Sequence, residues 1–116
     1  MKILSVTAQK PDSTGSGVFL TELVKGFRNL GCRQAVVCGH VAGEMLAFPE
    51  DVTVFPVNYQ TPALPFPVCG MSDEMPYEST RYRDLDETMT AQLRQAFGKR
   101  IAEAVEAFRQ IGRAHV

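Results

Sequence analysis

The chain has 116 residues, 45% of them hydrophobic, with nine glycines, seven prolines and a formal net charge of −1. That length fits one globular domain that buries roughly two-thirds of the surface its unfolded form exposes. The near balance of charge, with no Lys/Arg block, excludes the electrostatic footprint of a nucleic-acid or anionic-membrane binder, and no run approaches the ~18 apolar residues of a membrane-spanning helix.

Met1 and Lys2 lead straight into Ile3-Leu4-Ser5-Val6. This apolar run is too short for a signal peptide, so a cytoplasmic chain is expected. Residues 2–8 read as a short buried strand. Next comes Ser13-Thr14-Gly15-Ser16-Gly17-Val18-Phe19-Leu20, "STGSGVFL", a glycine- and hydroxyl-rich passage from strand to helix. The helix is expected over 18–30, where Leu20, Leu23, Val24, Phe27 and Leu30 recur at helical spacing, and Gly31 is expected to stop it. Residues 33–38, "RQAVVC", predict a second strand ending at Gly39, and 52–57, "VTVFPV", a third. Strand, helix and strand with short connections make a right-handed βαβ unit and hence a parallel sheet.

The pattern breaks over 58–83, where Pro62, Pro65, Pro67 and Pro76 interrupt any helix and leave only 63–69 as a possible extended piece. Phe66, Met71, Met75, Tyr77 and Tyr82 suit docking onto a ligand or partner; the alternative is a loop that merely covers the core. A long one-sided helix is expected from Asp84, which forms an Asp-x-x-Glu capping box with Glu87, through Leu85, Met89, Leu93, Phe97, Ile101, Val105 and Phe108. The three cysteines, Cys32, Cys38 and Cys69, have no metal-ligand spacing, so buried reduced thiols are expected and no metal site.

The helical pattern stops at Gln110, leaving "IGRAHV". This peptide is what ATC GGA AGA GCA CAC GTC encodes, which resembles the start of a sequencing-library adapter. Residues 111–116 are therefore expected to be non-native read-through, with a natural C-terminal tail as the alternative, and 1–110 a truncated domain. A parallel sheet that ends on a helix calls for a further strand, so the chain is expected to be a fragment of a larger protein.

Glycines at the start of a helix let an anionic ligand approach unpaired N–H groups at the positive end of the helix dipole. Gly15 and Gly17 suit that chemistry, with Ser16 adding a hydroxyl; for Ser13, Thr14 and Ser16 helix capping alone is the alternative. A Walker A loop is excluded, because Gly17 is followed by Val18-Phe19 rather than Lys-Ser/Thr. A dinucleotide fingerprint fits poorly, because Leu20 stands where a third glycine belongs and the second strand ends Val37-Cys38-Gly39-His40 with no acidic residue. His40 falls at the carboxyl edge where open α/β sheets bind ligands, with a solvated turn histidine as the alternative. Asp73, Glu74 and Glu78 read as a solvated loop face.

The strand "MKILSVT", the loop "TGSGV" leading into "FLTELVKGFRNLGC", and the strand "QAVVCG" together resemble the N-terminal domain of GT-B glycosyltransferases, most closely the family 4 enzymes. The later "IAEAVEAFR" is similar to a helix that in this family leads into the strand before a His-rich acceptor segment. The resemblance spans residues 1–109. It implies a Rossmann-like parallel sheet flanked by helices, forming the acceptor half of a two-domain retaining enzyme and incomplete at its C-terminus. It further implies that Gly15, Ser16 and Gly17 approach the donor's phosphates and transferred sugar. Acceptor contacts are expected from His40, Tyr77, Ser79, Thr80 and Arg81. The family's paired glutamates belong to the other half, so no catalytic residue maps onto this chain. The implied partners are a nucleotide sugar, a sugar or glycan acceptor and the missing C-terminal domain, with no cofactor or metal. A non-catalytic Rossmann-like nucleotide- or protein-binding domain is the competing expectation.

Overall fold

A computed structural model describes residues 2–10, 15–41, 48–49, 51–70 and 79–114, with backbone alone for 15–17, 70 and 108–114. The elements run β1 (Lys2–Thr7), α1 (Gly15–Asn29), β2 (Arg33–Val41), β3 (Val52–Tyr59), β4 (Cys69–Gly70), β5 (Thr80–Arg81), a single 3-10 turn (Tyr82–Asp84) and α2 (Glu87–Ala114). Strands β1, β2 and β3 lie side by side in that order, all parallel, and β4 and β5 form a separate short parallel pair. The chain is thus an α/β protein with a Rossmann-like parallel sheet flanked by helices.

Strand alternation assigns the two faces. Val37, Val57 and Tyr59 point into one core with Phe97 and Ala104 of α2, while Val36, Cys38 and Val52 point into a second with Val24 of α1. Residues of β2 from Gln34 to Gly39 are buried without a break, as a central parallel strand covered on both faces requires. Gln34 donates from Nε2 to the Val24 carbonyl at 2.8 Å, tying α1 to the sheet.

Gly31 ends α1 as expected. It takes φ 77°, its N–H donates to the Arg28 carbonyl and that of Cys32 to the Phe27 carbonyl, both at 3.0 Å, which is a Schellman motif. The start differs from expectation, because α1 begins at Gly15 rather than Val18, so the two glycines occupy its first turn. The expected single apolar face also splits. Val24 is fully buried, whereas Leu23, about 100° around the helix from it, lies exposed with Phe19 and Leu30.

Strand β1 ends at Thr7 rather than Ala8, β2 runs on through Gly39 and His40 to Val41, and β3 to Tyr59. The expected strand stop at Gly39 is therefore corrected: Gly39 pairs with Val57 and His40 with Asn58 inside the ladder. The expected capping box is corrected too. Asp86 caps α2, accepting from the Met89 N–H at 2.8 Å, while Asp84 accepts from Arg81 Nε at 2.7 Å and closes the preceding turn. Within the expected stripe, Met89, Leu93, Phe97 and Ile101 pack against the sheet, but Val105 stands exposed. The helix backbone continues past Gln110 to Ala114.

Much of the proline-rich segment belongs to the core. Leu64, Phe66, Val68 and Cys69 are buried on the α2 side, with the Phe66 ring edge-on to Tyr59 at 5.8 Å. Phe66 thus covers the core, as the loop's alternative role required, and Tyr82 is exposed. Met71, Met75 and Tyr77 lie outside the described residues.

The two sheet edges are treated differently. On β3, Pro56 removes a donor, the Pro56 carbonyl accepts from Arg100 Nε at 2.8 Å, and the Asn58 carbonyl accepts from the Thr61 hydroxyl at 3.0 Å. Such devices blunt a strand edge. Strand β1 holds no proline and no charged residue after Lys2, and Val6 is 48% exposed.

Candidate functional site at the carboxyl edge of the sheet

Because the three strands are parallel, their carboxyl ends gather at one edge, and α1 sets out from that edge after β1. The floor there is closely knit. Gly39 donates its N–H to the Gln9 carbonyl at 3.1 Å, Tyr59 donates its hydroxyl to the Ala8 carbonyl at 2.8 Å, and the Gln9 N–H donates to Thr7 Oγ1 at 3.2 Å. A side chain at position 39 has no room, since a Cβ there would stand 2.6 Å from the Ala8 carbonyl oxygen and 3.0 Å from both Tyr59 and Val68. Glycine is what lets the end of β1, β2 and the Val68 segment converge.

The acidities follow from that packing. Burial pushes the Tyr59 hydroxyl far above its usual value, and the neighbouring Cys69 thiol adds to the shift. Burial likewise raises Cys69, against the opposing effect of its hydrogen bond with Tyr59. Under α1, burial pushes the Cys38 thiol up to about 11. These three groups stay protonated near neutrality, so they pack rather than act as thiolate or phenolate nucleophiles.

His40 is half-buried near the end of β2, with Nδ1 2.8 Å from Asn58 Oδ1 on the paired residue of β3. With the proton on Nδ1, the ring donates to the amide oxygen and is oriented on the sheet edge, unlike a solvated turn histidine. Gly15, Ser16 and Gly17 form the first turn of α1 on the same side of the sheet. Tyr77 lies outside the described residues. Ser79 is half-buried, and Thr80, 8% exposed, donates its hydroxyl to the Pro67 carbonyl at 2.6 Å and its N–H to the Val68 carbonyl at 2.9 Å. Arg81 Nε pairs with Asp84 Oδ2 at 2.7 Å on a half-exposed surface.

Val68 joins these pieces, touching the Gly39 position with its side chain and holding Thr80 with its carbonyl. Val68 thereby ties the Thr80–Arg81 strand to β2 on the α2 side of the sheet, whereas alternation along β2 turns His40 to the α1 side with Val36 and Cys38. Sequence reasoning missed Asn58, Tyr59 and Gln9. Asn58 and Tyr59 carry a weak signal, since they extend the alternation of "VTVFPV" by two residues. Outside this edge, Arg28 Nε and Asp51 Oδ1 lie 2.8 Å apart at the amino end of the sheet, and hydrogen bonding to Arg28 holds the Asp51 carboxyl below its usual value.

Among the described residues, no group of three or more His, Cys, Asp or Glu side chains is arranged to hold a metal ion, and no helix is long and apolar enough to cross a membrane. The class that the fold defines is a Rossmann-like α/β domain. Compared with known proteins, the chain matches no family model, no curated protein and no solved structure.

Proposed function

We propose that the chain is the N-terminal, acceptor-side part of a GT-B glycosyltransferase that moves a sugar from a nucleotide-sugar donor to a sugar or glycan acceptor with retention. The catalytic glutamates then belong to a C-terminal half of the same polypeptide. The observation that carries the proposal is the origin of α1, whose glycine-bearing first turn opens from the carboxyl edge of the parallel sheet. Open α/β sheets take ligands at that edge. The N–H groups of a first turn lack intrahelical acceptors and sit at the positive end of the helix dipole, which suits a diphosphate. In this role Gly15, Ser16 and Gly17 meet the donor's phosphates and transferred sugar. His40, Tyr77, Ser79, Thr80 and Arg81 serve the acceptor. Rate acceleration comes from stabilising charge on the departing nucleotide phosphates.

One feature favours the second reading, a non-catalytic Rossmann-like nucleotide- or protein-binding domain: the Thr80 hydroxyl and the Arg81 guanidinium are already engaged with Pro67 and Asp84. Titrating the 15N-labelled chain with UDP-glucose and, in parallel, GDP-mannose tests the donor contact. The proposal expects amide shifts centred on Gly15, Ser16 and Gly17 that vanish in Gly17→Val while the melting temperature holds, because a branched side chain blocks close approach to the backbone. Shifts confined to other residues, or equal shifts in the variant, would remove the glycine turn from the site. A non-catalytic domain would bind without gaining transfer activity when the C-terminal half that the proposal calls for is added.

A further inference from the structure

No further inference is drawn: the strongest candidate, the exposed apolar stripe of Phe19, Leu23 and Leu30 on the outer flank of α1, is an unpartnered helix face, and nothing in the structure shows what covers it.

Discussion

Gly39 and Gly26 are both glycines inside regular elements, yet their surroundings differ. A Cβ at 39 would collide with the Ala8 carbonyl oxygen at 2.6 Å, whereas one at 26 meets nothing within 4 Å. Gly39→Ala should therefore cost about 2 kcal/mol through displaced backbone and ring. Gly26→Ala should stabilise the chain by up to about 1 kcal/mol through helix propensity. Urea denaturation of the two variants measures both, and equal shifts would mean that β1, β2 and Val68 do not converge as described. The buried acids make a second prediction. In the folded chain Cys38 holds its proton from its ordinary 9.0 up to about 11, and Tyr59 shifts in the same direction. The folded state then binds more protons than the unfolded one, so stability is intact below pH 9 and falls as pH rises toward 11, by on the order of 2 kcal/mol from Cys38. Cys38→Ala should flatten that part of the pH–stability profile, and an unaltered slope in the variant would show that the thiol is not buried.

The start of α2 shows how local pattern and tertiary geometry divide the outcome. Both Asp84 and Asp86 stand in capping-type sequences, and the adjoining 3-10 turn takes up the first, leaving Asp86 to accept from Met89. Asp86→Ala should lower stability by about 1 kcal/mol. Asp84→Ala should lose only an exposed pair with Arg81, worth a few tenths. Thermal unfolding that ranks the two the other way would restore the cap to Asp84. The strands were legible wherever apolar residues ran together, as in "RQAVVC", and so was the stop at Gly31. What stayed hidden was the continuation of β2 through Gly39 and His40, because Gly-His reads as a turn until β3 is seen to run beside it. The pairing of His40 with Asn58 depends on register across 18 residues, which no local pattern encodes. The glycine-rich start of α1 was visible as a site candidate, but its place inside the first turn required the backbone.

The sheet as a body is asymmetric. Its β3 edge is closed by Pro56, Arg100 and Thr61, while strand β1 is itself uncharged after Lys2, exposes Val6 and borders a mostly apolar groove of about 340 Å³ lined by Val6, Ala8, Leu93 and Phe97 together with Thr90 and Arg94. An edge on which the described residues place no such device suits a strand that is interior in a larger sheet. That agrees with the proposal that this chain is half of a two-domain transferase, in which neither half alone positions donor against acceptor. The most direct test of that proposal is sugar transfer from a panel of nucleotide sugars, comparing the purified 116-residue chain with an extended polypeptide that adds the C-terminal half the proposal calls for. The account predicts transfer by the extended protein and none by the shorter chain. Turnover by the 116 residues alone, or an extended, folded protein that transfers no sugar, would contradict it.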